Sequence, residues 1–275
     1  MTRRFAACFV PAMVTLFAPI TAYAQQGAPQ RYGQALYVHV PQDKDAQFVE
    51  FYKTGAGMKA ARARMKADAN ITGISVRRVV YANPIPRANF VILTSRNGAP
   101  VAPDSAKRDE LYRAATGMDY AGYLAQARAI SEVVGQTLTH LHDSTNFQAS
   151  EGDVIVSRRL KTAEGKNTDL SALMRTMRLP IMTERVKDGA MKGWSFSHLA
   201  LAGGSALPWD ATETRIYKDI ASALSGTGPG NNNAAMPLFT KLFPDKSYTR
   251  YLDDAREFGK LVRTDTYVVV AAFRP

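Results

Sequence analysis

The feature that most constrains this chain is a phrase it carries twice. YAGYLAQAR runs from Tyr120 to Arg128 and returns as YTRYLDDAR from Tyr248 to Arg256. Tyr120, Tyr123, Leu124, Ala127 and Arg128 meet Tyr248, Tyr251, Leu252, Ala255 and Arg256, all 128 positions later. Ile130, Val133 and Val134 continue the match onto Phe258, Leu261 and Val262. Upstream, ITGISVRRVV from Ile71 lies against MKGWSFSHLA from Met191 at an offset of 120, and GQALYVHV from Gly33 lies against GDVIVSRR from Gly152 at 119. An offset that grows slowly from front to back is that of two copies with a few insertions in the second. A repeat of this size has to be found before elements are assigned, because it halves the fold problem.

Each copy opens with a strand rich in β-branched residues, ALYVHV from Ala35 and VIVSRRL from Val154. A helix follows. In the first copy it spans about Asp45 to Ala67, with Phe48, Phe51, Tyr52 and Met58 at helical spacing; Gly55 and Gly57 weaken it. In the second it spans about Thr168 to Asp188, with Leu170, Leu173, Met174, Met177 and Ile181 on one stripe, and Pro180 kinks it. Two strands come next: Ile74 to Tyr81 and Phe90 to Thr94 in one copy, Trp194 to Leu201 and Glu213 to Tyr217 in the other. The helix that carries the repeated phrase follows, and a last strand closes the unit: Leu138 to Asp143, and Thr266 to Phe273. The order β-α-β-β-α-β, twice, is the ferredoxin-like split unit. Its helices cover one face of a four-stranded antiparallel sheet and leave the other bare. The expected fold is α+β: two tandem units, residues 25–148 and 149–275, whose bare sheets face each other and close a barrel within one chain.

This order and pattern resemble the dimeric α/β-barrel superfamily, with its two half-barrels fused. The likeness covers nearly all of the chain after the N-terminal segment. That superfamily includes cofactor-light monooxygenases, stress-response barrel proteins, and haem enzymes of the chlorite dismutase and dye-decolourising peroxidase kind. The haem members imply an axial histidine on a helix of one half; neither predicted helix of the second copy has one. The Gly-x-x-Asp-Gly motif of the peroxidases is absent as well. The expectation is therefore no cofactor, with haem as an alternative.

The N-terminus reads as a signal peptide over residues 1–24. Arg3 and Arg4 are its positive end, Phe5 to Ile20 its apolar stretch, and Ala22-Tyr23-Ala24 its cleavage site, so the mature chain is expected to begin at Gln25 and to be periplasmic or secreted. Pro11 and Pro19 interrupt the segment, which is short for a membrane span. No further transmembrane segment is expected. The only cysteine, Cys8, lies inside it, so the mature protein would have no disulfide, thiol nucleophile or thiolate metal site. Taking Arg3 and Arg4 from the 35 basic residues leaves 33 against 24 acidic ones, a net charge of +9. That charge suits an anionic surface partner. An exported address without a reading motif argues against nucleic acid.

The repeated phrase itself reads as the packing stripe of a helix on its sheet, with Arg128 and Arg256 near the helix exterior. The candidate chemistry lies where the copies differ. His39, His140, His142 and His198 all fall on predicted strands. Trp194, Phe196 and His198 share one face by their period of two, and Arg78 occupies the place of His198 in the first copy. If that face is the barrel interior, Tyr37, Arg78, Trp194, Phe196 and His198 wall a site for a small, partly apolar ligand. His140, His142 and Asp143 fall short of a metal site, because Asp143 points the other way. No Ser-His-Asp elbow, P-loop or dinucleotide fingerprint is present. GTGPGNNN, Gly226 to Asn233, reads as a surface loop, and the basic run Lys59 to Lys66 as a solvated helix face. The expected function is ligand binding between the sheets, with a metal-free oxygenase-like or isomerase-like reaction as its catalytic form. The alternatives are a structural or interaction protein with a filled barrel and a basic surface, and a haem-binding protein.

Overall fold

The computed structural model describes residues 30–275 apart from 82–84, 86, 102–103, 204–206 and 228–230. The expected signal segment lies outside the described residues. Eight antiparallel strands close into a barrel: β1 (Arg31–His39), β2 (Ile71–Tyr81), β3 (Phe90–Asn97), β4 (Glu132–Ser144), β5 (Val154–Thr162), β6 (Gly193–Gly203), β7 (Ala211–Tyr217) and β8 (Gly259–Phe273). Their order around the barrel is β1-β3-β2-β8-β5-β7-β6-β4. Each half is therefore a ferredoxin-like sheet, β4-β1-β3-β2 and β8-β5-β7-β6. The halves join through β2 with β8 and β4 with β6. Closure leaves no edge strand to pair with another chain.

The pairing tests the repeat. Across the two seams Arg78 faces Val268 and His198 faces His140. The offsets of 120 for β2 and β6 and of 128 for β4 and β8 are thus both in register. The offset of 119 for the first strands is not. Val38 and Arg78 both face Phe90, while Leu160 and His198 both face Ala211, so Val38 corresponds to Leu160, 122 positions later. The three-residue difference is odd, and in a strand an odd slip exchanges the two faces.

Helices α1 (Asp45–Lys53), α2 (Ala56–Ala67), α3 (Ser105–Thr116) and α4 (Tyr120–Arg128) cover the first sheet. The expected long helix is broken at Thr54–Gly55, and a Cβ on Gly57 would lie 2.6 Å from the Phe51 ring. Here the chain turns too tightly over Phe51 for a side chain. Over the second sheet lie α5 (Asn167–Leu173), a π-helical turn (Met174–Arg178), α6 (Leu179–Lys187), α7 (Ile220–Thr227), α8 (Asn231–Leu242) and α9 (Tyr248–Phe258). The widened turn sits just before Pro180, which has no N–H to return to the carbonyl four residues back. Of the expected loop Gly226 to Asn233, residues 228–230 lie outside the described residues, and Asn231 opens α8.

The repeated phrase is helical in both copies and is capped at matching places. Asp119 accepts from the Gly122 amide and Ser247 from the Arg250 amide, one residue before each phrase. Val134 and Val262 do not continue the stripe; both lie on strands, because each helix ends first. Two apolar cores fill the spaces between helices and sheet, one in each half, around Phe48, Val76 and Phe90 and around Leu170, Trp194 and Phe196. A third lies inside the barrel, around Tyr37, Val91, Ile155, Ile216 and Tyr267.

Candidate functional site

Period-two alternation sends Ala35, Tyr37 and Val91 inward, and with them Ile155, Ile216, Tyr267 and Val269. Toward one end the interior lining turns polar: Thr137 and Thr139 from β4, Ser157 and Arg159 from β5, Ser195 and Ser197 from β6, Arg77 from β2. These residues surround a cavity of about 210 Å³, so the barrel is not filled solid.

Four arginines line it: Arg96 pairs with Asp68, Arg31 donates to Ser144 Oγ at 2.8 Å, and the other two are Arg159 and Arg77. Arg159 is buried and fully engaged. Its Nε donates to Asp265 Oδ2 at 3.0 Å, Nη1 to Thr212 Oγ1 at 2.9 Å and Nη2 to the Tyr267 hydroxyl at 3.3 Å, and the guanidinium lies 4.5 Å from the Trp209 ring centre. Burial disfavours its charge, but Tyr37, Tyr267 and Asp265 outweigh that and raise its pKa. Arg77 is different. Its Nε donates to Ser75 Oγ at 3.1 Å, and no carboxylate among the described residues pairs with it. Burial, with Arg159 adding to it, pushes its pKa down to about 10 although Tyr267 and Tyr37 oppose the shift.

The cavity opens at Arg77 into a cleft of about 500 Å³ that shares Arg31, Thr72, Ser95 and Phe147 with it. Phe147 comes from the segment joining the two units. Asn146, at φ 45°, turns the chain there, and Phe147 packs where any Cβ on Gly193 would stand 2.3 Å from its ring.

Of the five residues expected to wall this site, only Tyr37 does so. Arg78, Trp194, Phe196 and His198 lie on the opposite face of their strands, under the helices, while Arg77, Ser195 and Ser197 point in. Arg78 forms an ion pair with Asp45 of α1, its guanidinium 5.4 Å from the Phe90 ring centre. Trp194 and Phe196 are fully buried in the second helix-covered core. The reason is that a strand in this barrel is covered on both faces, so its aromatic side need not be its inner side.

The histidines are on strands, as expected, but three gather outside the barrel at the β4–β6 seam. The His142 ring lies 5.1 Å from His140 and 4.7 Å from His198, and His198 Nε2 is 2.9 Å from Ser171 Oγ on α5. His39 is bonded through Nδ1 to the Arg87 carbonyl. Burial, reinforced by His142, lowers the His198 pKa to about 4. An NMR pH titration should thus show His198 neutral until about pH 4; a midpoint near 6.5 would contradict this packing.

On the same outer face lies a constellation that the sequence reading passed over. Glu213 is fully buried and holds three guanidinium groups. Arg158 Nη1 donates to Oε2 at 2.7 Å, Arg178 Nε to Oε1 at 2.9 Å and Arg215 Nη2 to Oε2 at 3.2 Å, and Trp194 Nε1 adds a bond to Oε1 at 2.9 Å. Burial alone would raise the Glu213 pKa; Arg178, Arg215 and Arg158 hold it well below the usual carboxylate range. A signal was available. Arg158, Glu213 and Arg215 alternate with the period of Val156, Leu160, Ala211 and Tyr217, on a face otherwise apolar.

Neither this region nor the barrel cavity has a histidine in its lining; the side chains there of a kind that can ligate a haem iron are tyrosines and methionines. Among the described residues no three His, Cys, Asp or Glu side chains are placed to hold a metal ion, and no helix is long and apolar enough to cross a membrane.

No family model and no curated protein matches the chain. Solved structures do. A "putative monooxygenase" from Fusobacterium nucleatum aligns at a TM-score of 0.55 and 9% identity over 90% of this chain and 95% of that one. A "putative monooxygenase" from Lactobacillus acidophilus aligns at 0.51 and 10%, over 90% and 97%. An anthrone oxidase-like protein aligns at 0.51 and 9%, over 90% and 94%. At such identities the likeness is one of fold. With the closed eight-stranded barrel and the order of its strands, it shows that this chain has the fold of the dimeric α/β-barrel superfamily, two ferredoxin-like half-barrels joined in one polypeptide.

Proposed function

We propose that this is an exported protein that binds a small, partly apolar ligand inside its barrel, between the two sheets. The observation that carries the reading is Arg77, a half-buried guanidinium at the mouth of the cavity with Ser75 as its only hydrogen-bond partner among the described residues and no carboxylate beside it. A partly desolvated charge without a counter-charge is costly, and a ligand anion or carbonyl oxygen at Arg77 relieves that cost. The Tyr37 ring, with Val91 and Leu93, supplies apolar wall. A chamber of about 210 Å³ suits a ligand of roughly ten heavy atoms, below the usual drug-sized range of pockets. Its lining contains no carboxylate and no imidazole to act as a general base, so the reading stops at binding.

Export rests on Arg3, Arg4, the apolar stretch and the Ala-x-Ala site before Gln25. One experiment addresses both parts. Native mass spectrometry of protein taken from the periplasm should give a polypeptide beginning at Gln25 with a small molecule bound, and Arg77→Met should be free of that molecule. An empty wild-type protein, or a ligand retained in the variant, would refute binding at Arg77.

A further inference from the structure

The second half-barrel holds another cavity, of about 530 Å³, on the far side of the same sheet, between β5 and β7 below and α5, α6 and α9 above. Its floor is the Glu213 cluster. Its walls are apolar, among them Val156, Leu170, Met174, Ile181 and Leu252. Arg185 on α6 also faces it, with no carboxylate partner among the described residues.

Register shows what the fold itself requires at these positions. Phe90 corresponds to Ala211, so Ile92 and Thr94 correspond to Glu213 and Arg215; Val38 corresponds to Leu160, so Leu36 corresponds to Arg158. In the first half Leu36 and Ile92 pack in the helix-covered core, and the space above them is closed by aromatic rings, Phe51 and Tyr112 against Tyr123. The second half has charge and open volume where the first has the uncharged Leu36, Ile92 and Thr94. A buried ionic cluster is no more stabilising than an apolar core of the same shape, and often less so. Folding therefore does not account for the exchange. The charge is also unbalanced. Among the described residues three guanidinium groups share the one carboxylate of Glu213, which also accepts from Trp194, and Arg185 beside them has no carboxylate partner. The π-helical turn before Pro180 carries Arg178 and Met174 into the cavity, and such turns recur where a helix serves a site rather than its own packing.

We propose that this cavity binds an organic anion with an apolar body: its carboxylate or similar head lies among Arg158, Arg178, Arg185 and Arg215, and its body runs along the wall formed by α5 and α9. The repeated phrase then has two fates. In the first half it seals a core. In the second, Tyr248, Tyr251, Leu252, Ala255 and Arg256 line the cavity.

The test uses octanoate as probe and 1-octanol as its uncharged counterpart, with calorimetry on the full mature chain. Wild-type protein should bind octanoate at least tenfold more tightly than octanol. The triple variant Arg158→Leu, Glu213→Ile, Arg215→Thr installs the first half's residues in the second. It leaves Arg178 without its carboxylate and so should be less stable than wild type, and where folded it should lose octanoate binding by 100-fold or more. Arg185→Met, a single change that removes no member of the Glu213 cluster, should weaken octanoate about tenfold, and it decides the matter if the triple variant does not fold. Because octanoate also has the size and charge expected of the barrel ligand, each measurement is repeated in the Arg77→Met background, which removes the barrel site; the site described here persists in that background and is the one weakened by Arg185→Met, so failure of the barrel reading and failure here are separable. Equal affinity for octanoate and octanol, no octanoate binding at millimolar concentration, or unchanged affinity in Arg185→Met would overturn the proposal.

Discussion

Glu213→Gln is expected to destabilise the protein by about 3–5 kcal/mol at pH 7, the range found when one partner of a buried ionic group is removed. The amide keeps the shape and can still accept from Trp194, but Arg158, Arg178 and Arg215 lose the only carboxylate that balances them among the described residues. The effect depends on pH in a defined direction. The folded-state pKa of Glu213 lies well below that of an unfolded glutamate, about 4.3. Its contribution is thus fully present above that value and is lost as pH falls toward the folded pKa. Urea unfolding should give a large gap between wild type and variant at pH 7 and a smaller one at pH 3. Equal midpoints at pH 7 would mean that the three arginines are solvated, against the burial of the cluster.

How much of this was legible beforehand follows from where the strands bury. The repeat, the β-α-β-β-α-β order and the closed barrel rest on apolar periodicity and on Gly and Pro positions, which a sequence displays directly. Helix α3 did not announce itself: Ser105 to Thr116 buries only Tyr112, so no apolar stripe marks it. The site was misplaced for a more particular reason. In a barrel sheathed by helices both faces of a strand are covered, and alternation tells which residues share a face without telling which face is inside. The chain has two arginine doublets on strands, Arg77-Arg78 and Arg158-Arg159, and the sheet splits both. Arg77 and Arg159 enter the barrel, while Arg78 and Arg158 go under the helices. The choice of Arg78 over Arg77 was a choice of face. The pairing of β2 with β3 and β8, and of β5 with β7, which settles it, is a long-range fact that no local pattern carries.

Inside the barrel the corresponding weak point is Asp265, which is fully buried and is the acid that accepts from both Arg159, at 3.0 Å, and Arg263, at 2.8 Å. Asp265→Asn should cost about 3–5 kcal/mol, because Arg159 then remains in the interior with only Thr212 and Tyr267 as partners. Arg77→Met should behave in the opposite sense. It removes a guanidinium that no carboxylate balances and replaces it with an apolar chain of similar length, so it should be neutral or mildly stabilising in the absence of ligand. The two sites are electrostatically coupled, since Arg159 helps to depress the Arg77 pKa. The double variant should therefore be less destabilised than Asp265→Asn alone by about 0.5–3 kcal/mol, the range for residues in one network. Strict additivity in urea unfolding would show that Arg77 is too well hydrated to feel the interior charge, and the barrel would then have no electrostatic reason to take up an anion. If Arg77→Met is instead as stable as wild type and restores part of what Asp265→Asn loses, the failure of that variant to retain a ligand cannot be put down to unfolding.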